Sequence, residues 1–129
     1  QGNAWVWPAA SADDGDGRRY GTAGNLHLGS LLALPPDLAL DTLGLQAGPE
    51  TVLAHALQDF GACLTDTVRE GGPVAFQGEP EVHDSAARIR PEALRTLVER
   101  LQVVVNHAPR SVGGGGRRRT PMAPAFSRG

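Results

Sequence analysis

One stretch, Pro49 to Asp66 (PETVLAHALQDFGACLTD), restricts the fold of this chain more than any other. Pro49 suits the first position of a helix, where its missing N–H costs nothing. Glu50 follows in the first turn, where a negative charge meets the positive end of the helix dipole. Leu53, Ala56, Leu57 and Phe60 recur at i, i+3, i+4 and i+7, which predicts one apolar stripe, with His55, Gln58 and Asp59 off it. Gly61 can take the left-handed backbone that ends a helix. Ala62 to Thr65 then predicts a short strand buried on both faces. A helix stopped by glycine and feeding directly into a strand is a packed αβ unit, and the other pieces are expected to assemble on it.

The rest of the chain supplies those pieces. Pro91 to Arg100 predicts a second helix, with Pro91 at its first position, Glu92 in its first turn and Leu94, Leu97, Val98 and Leu101 as its stripe. Strands are predicted at Asn3 to Trp7, Asn25 to Leu34, Val74 to Gln77 and Gln102 to Val105. Gly29, inside the second of these, marks a bulge or a close backbone approach. Asp37 to Leu45 reads as irregular, Arg69 to Pro73 and Asn106 to Pro109 as turns, and the segment through His83 and Asp84 as an exposed loop. The fold class is therefore α+β: a β-sheet or partial β-sandwich of about five or six short strands with two amphipathic helices packed on it. Residues 1–112 form the domain, expected to be an incomplete C-terminal portion of a larger one. Residues 113–129, rich in Gly, Arg and Pro, form a flexible tail.

A chain of 129 residues is long enough for one domain with a core. Its net charge of −2 argues against a general attraction to nucleic acid or anionic membranes. No apolar run approaches the ~20 residues that cross a bilayer. Every basic residue is Arg, which with the abundant Ala and Gly reads as the coding bias of a GC-rich bacterial genome. The chain opens at Gln1 and reaches a strand-like segment by Ala4, the pattern of a processed product or fragment, so a missing leader says nothing about export.

Chemistry-bearing residues are sparse. The single Cys63 excludes an internal disulfide and reads as a small apolar filler of the predicted strand. His27, His55, His83 and His107 show no local zinc spacing, so a metal site would need His83, Asp84 and a distant His brought together by the fold. Asp13, Asp14 and Asp16 in DDGDG resemble an oxygen-ligand calcium loop but lack its spacing and closing glutamate, and a solvated loop is preferred. No GxSxG, HExxH or phosphate loop occurs, and no cofactor is expected. Arg117 to Arg119 reads as a solvated basic tail in preference to an anion site. Trp5 and Trp7, two apart on a strand, would share a face and could stack on a sugar ring, although one face of a strand is more commonly core. Asp66 at a strand end, with Asp59 one helix–strand turn earlier, could do acid–base work, although such carboxylates more commonly cap turns.

The order WVWPA, LGSLLALPPDLALDTLGL, ALQDFGACLTDT, LQVVVNHAPRSVGGGG, spanning residues 4–116, resembles the C-terminal half of a family of large secreted bacterial proteins of unknown function. Ala56 to Asp66 is its most specific part. The resemblance implies export, a β-rich core and an upstream half that completes the sheet. Two departures stand out: Ala10 and Ser11 lie where relatives carry a His, and Phe60 replaces a Tyr. The resulting expectation is a secreted module that binds carbohydrate or a cell-surface glycan, without nucleic-acid partners or a membrane span. The alternative is an extracellular glycan hydrolase using Asp66 or Asp59 as acid or base. An intracellular interaction domain is a third reading, compatible with the arginine tail and the lone thiol.

Overall fold

The computed structural model describes residues 5–12, 26–66 and 74–117. The Asp13, Asp14 and Asp16 run, the turn at residues 69–73 and the tail beyond Arg117 lie outside the described residues.

The helix expected at Pro49 forms as α1, Pro49–Asp59. Its first turn is closed locally. The Gly48 N–H donates to Thr51 Oγ1 at 3.2 Å, and that hydroxyl donates back to the Gly48 carbonyl at 2.9 Å. Its end is where the sequence places it: Gly61 has φ +76°, and the Phe60 and Gly61 N–H groups both turn back to the Ala56 carbonyl. The Leu57 carbonyl accepts instead from the Leu34 N–H at 3.1 Å, which ties the helix to the chain leaving the first strand. Gln58 Nε2 donates to the Pro35 and Leu38 carbonyls at 2.9 and 2.8 Å, fixing the loop that follows.

Three strands form among the described residues: β1 (Leu31–Ala33), β2 (Ala62–Cys63) and β3 (Gln102–Val103). They make one antiparallel sheet in the order β2-β1-β3, with Leu31 opposite Cys63 and Leu32 opposite Val103. The architecture is thus α+β, as expected, but with fewer and shorter strands than the five or six anticipated. Around Trp5 only an isolated parallel bridge to Leu28 forms, and Trp7 lies in a turn with a cis bond to Pro8. Val74 to Gln77 forms no strand: Val74 is exposed, and Phe76 turns onto the core from an irregular segment. The segment expected to be an open loop holds a 3-10 turn, Pro80–Val82, leading into the single-turn helix α2, His83–Ala86. The irregular Asp37 to Leu45 stretch holds a 3-10 turn, Leu40–Leu43, ended by Gly44. The second long helix is α3, Pro91–Val98.

The core is Leu34, Ala54, Leu57 and Leu97, with Leu38, Leu40, Leu43, Leu45, Leu53, Phe76 and Leu101 packed around it. In the stripe of α3 Leu97 is buried and Leu94, Val98 and Leu101 are half-buried, with buried Ala93 added. The stripe of α1 is rotated. Its buried residues are Glu50, Ala54 and Leu57 with Leu53 half-buried, whereas Ala56 faces solvent and Phe60 is 46% exposed. Glu50, Leu53, Ala54 and Leu57 are themselves an i, i+3, i+4, i+7 set, so the periodicity holds, but Glu50 and Ala54 take the places expected for Ala56 and Phe60. Phe60 lies beyond the last helical residue with φ −124°, which swings it off the helical face. The strand after Gly61 is likewise more open than expected. Ala62 is half-buried and Cys63 exposed, because β2 is an edge strand of the sheet. Cys63 is therefore not a core filler.

Glu50 can be buried because its charge is fully met. Its carboxylate, in a residue only 1% exposed, accepts from Arg90 Nε at 2.8 Å and Arg90 Nη2 at 2.9 Å. It also accepts from the backbone N–H groups of Gln46 at 2.7 Å and Arg90 at 3.1 Å. A paired guanidinium and backbone donors satisfy a carboxylate that would otherwise be costly to desolvate. Arg90 precedes α3 and its Nη2 also donates to the Gly44 carbonyl at 3.2 Å, so one ion pair joins the starts of both long helices to the loop that precedes α1.

Candidate functional site

The described concavity lies on the β3 side of the sheet, away from the helix core. The arm at residues 5–9 makes one wall. The Val6 N–H donates to the Leu28 carbonyl at 2.8 Å and the Ala9 N–H to the Val6 carbonyl at 3.0 Å. Gly29 permits this approach: its φ is +88°, and a Cβ there would collide with the Val6 carbonyl and with Ala9. The close backbone approach expected at Gly29 is therefore present. Ser30, nearly buried, forms part of the floor, and its Oγ accepts from the His27 N–H at 3.0 Å. The opposite wall is β3 and the residues after it. The Val104 N–H donates to the Leu31 carbonyl at 2.9 Å, extending the ladder past Val103. This open cleft has a volume of about 300 Å³ and is lined by Val6, Trp7, Leu31, Val103 to Val105 and His107 besides Ser30. That is the lower end of the range for small-ligand sites.

His107 is the one imidazole of this cleft. Its Nδ1 accepts from the Gly113 N–H at 2.9 Å, out of the 3-10 turn Val112–Gly114. The turn is held in place by Asn106, whose Nδ2 donates to the Gly114 carbonyl, and by Ser111, whose Oγ donates to the Asn106 carbonyl at 2.7 Å. An Nδ1 that accepts carries no proton, so the neutral ring keeps its proton on Nε2. Nε2 is buried and has no hydrogen-bond partner among the described residues. Burial pushes the His107 pKa below its ordinary value, which favours this neutral form. The Trp7 ring leans over the imidazole at 4.7 Å between centroids, tilted by 42°, with Trp7 itself 38% exposed.

The residues singled out from sequence divide between this cleft and other parts of the molecule. Trp7 lines it; Trp5 is half-buried at its bridge to Leu28 and does not. Asp59 is the last residue of α1 and Asp66 lies exposed beyond β2, and neither borders the cleft. His83 and Asp84 are exposed neighbours, 3.7 Å apart between Nδ1 and Oδ1. Among the described residues no three of His, Cys, Asp and Glu gather as a metal site would require. Partial desolvation by its neighbours raises the pKa of the otherwise exposed Cys63 thiol, which makes thiolate scarcer and does not activate it. Sequence reasoning missed His107. The accessible signal was NHAPRSVGGGG, an imidazole followed at short range by glycines whose N–H groups can reach it.

Compared with known proteins, the chain matches no family model, no curated protein and no solved structure. Among the described residues no helix is long and apolar enough to cross a membrane.

Proposed function

We propose that this chain is a non-catalytic binding module of an exported bacterial protein, and that it takes a surface glycan in the Trp7–His107 cleft. The observation that carries this reading is the partly exposed Trp7 ring lining a cleft beside His107, whose Nε2 has no hydrogen-bond partner among the described residues. Buried donors are nearly always satisfied in native proteins, and an unsatisfied one beside a cleft is a place for a ligand acceptor. An aromatic face beside it suits the apolar C–H face of a sugar ring. Export and an upstream half rest on the resemblance to the C-terminal half of large secreted proteins. A signal segment upstream in the encoding gene supports that part, and its absence there removes it.

The hydrolase alternative draws no support from the cleft, since its lining holds no carboxylate. The two readings separate in one pair of assays. Bacterial cell-wall and capsular polysaccharides are titrated against the intrinsic tryptophan fluorescence while reducing ends are counted. Quenching without new reducing ends supports the binding module. New reducing ends that disappear in Asp66→Asn or Asp59→Asn transfer the function to hydrolysis. No change in either assay overturns both.

A further inference from the structure

We infer that His107 is an acid-operated latch, whatever the cleft takes: its neutral imidazole fastens the turn Val112–Gly114, and protonation of Nδ1 releases that turn at Gly113. The Gly113 N–H donates to Nδ1 at 2.9 Å, so the bond exists only while Nδ1 keeps its lone pair. Nε2 already carries the proton of the neutral ring, so Nδ1 is also the atom that takes up the next one. Protonation therefore removes the acceptor and sets two N–H groups against each other. The surroundings do not offset that loss. The arm at residues 5–9, the floor at Gly29 to Leu31, the wall at Val103 to Val105 and the turn itself carry no ionisable side chain, so these elements bring no carboxylate to an imidazolium. His27 meets the floor through its backbone N–H, which bonds Ser30 Oγ. Exposed Arg110 is the one charged residue between His107 and Gly113, and its charge has the same sign as an imidazolium. Trp7 leans over the ring at 4.7 Å, a range at which an aromatic system attracts a cation, so the imidazolium stays with Trp7 and gives up the turn. Gly113 to Gly116 all hold positive φ and supply the hinge, since glycine has the widest choice of backbone conformations. Asn106 and Ser111 tie the same turn through groups that do not titrate, so acid loosens it at Gly113 first. Burial lowers the His107 pKa, which keeps the latch closed at neutral pH and places its opening below the ordinary 6.5.

The test is nuclear magnetic resonance on the whole chain labelled with nitrogen-15, followed from about pH 8 down to about pH 4. The His107 ring nitrogens give the titration midpoint, and backbone order parameters are measured above and below it. The expected result for Gly113 is a rigid-backbone order parameter of about 0.85 above the midpoint and a value under about 0.6 below it. The amides of Leu34 and Val104, which bond the Leu57 and Leu31 carbonyls, should stay rigid throughout. They separate a local release from acid unfolding, which would loosen all three together. His107→Gln supplies a side-chain carbonyl that does not titrate, and it should remove the pH dependence at Gly113. The titration of the unsubstituted chain is independent of how that variant folds. A Gly113 amide that stays rigid through the His107 midpoint overturns the inference. So does one that loosens together with Leu34 and Val104, or one that keeps the same midpoint in His107→Gln. None of these outcomes bears on glycan binding, which the polysaccharide titration decides.

Discussion

Glu50 and His107 both place polar atoms out of reach of water, and they do it in opposite ways. Glu50 has more donors than a surface carboxylate meets, and its pKa falls from 4.5 to about 2, first through the Arg90 side-chain hydrogen bonds and then through the Gln46 N–H. A depressed carboxylate stabilises the fold fully above its unfolded pKa, and that contribution is lost as pH falls through the folded value. The loss belongs between about pH 4.5 and pH 2. Urea midpoints measured from pH 6 down to pH 2 should therefore fall across that window. Glu50→Gln should flatten this limb and lower the midpoint at pH 6, because Arg90 is left half-paired. An acid limb unchanged in Glu50→Gln would show that the pair does not govern acid stability. His107 is the converse, a half-buried group with one nitrogen satisfied and the other buried without a partner among the described residues. Its lowered pKa has the same sign: the unfolded imidazole takes up a proton first, so stability drops as pH falls through the ordinary value of 6.5. The ring resonances of His107 should titrate with a midpoint below 6.5, and a midpoint at or above it contradicts the buried neutral tautomer.

At the scale of elements, glycines decide where the short pieces meet. Gly61 and Gly44 both adopt positive φ, at +76° and +66°, but only Gly61 is crowded. A Cβ on Gly61 would stand 2.6 Å from the Leu32 carbonyl and 2.9 Å from Leu31 Cδ1, whereas one on Gly44 meets open space. Gly44→Ala should therefore cost only the left-handed backbone penalty of about 1–2 kcal/mol. Gly61→Ala should cost clearly more, because β1 must also move. Thermal or urea melts of the two variants give the order, and a reversed order contradicts the packing of α1 and β2 against β1. This junction was readable beforehand, since Pro49 and Gly61 punctuate α1 through backbone sterics alone. The rotation of its buried face was not. The i, i+3, i+4, i+7 rule was applied to apolar residues, and the true set begins with a carboxylate whose partner, Arg90, lies 40 residues away.

On the scale of the whole molecule, a small helix–sheet core does the holding, and the three short strands depend on it. Leu97, wholly buried between elements, should lose about 2–5 kcal/mol on substitution by Ala. Val52, 67% exposed on α1, should change by no more than about 0.5 kcal/mol when replaced by Ala. Comparable losses at the two positions, read from denaturant titrations, would mean that the core is not where Leu34, Ala54, Leu57 and Leu97 meet. The strand count was overestimated because Val74 to Gln77 and Asn3 to Trp7 carry residues that favour strands, and propensity does not supply a pairing partner. What the amino-acid order determined by itself is the α+β class, the two long helices with their proline starts, the glycine stop at Gly61 and the close approach at Gly29, since all of these are local steric or periodic properties. Only the tertiary structure decided which face of α1 is buried, that Cys63 sits on an open edge, and that Trp7 and His107 meet over one cleft. Those outcomes depend on contacts between residues far apart in the chain, such as Glu50 with Arg90 and Trp7 with His107, and no local pattern encodes such a pairing.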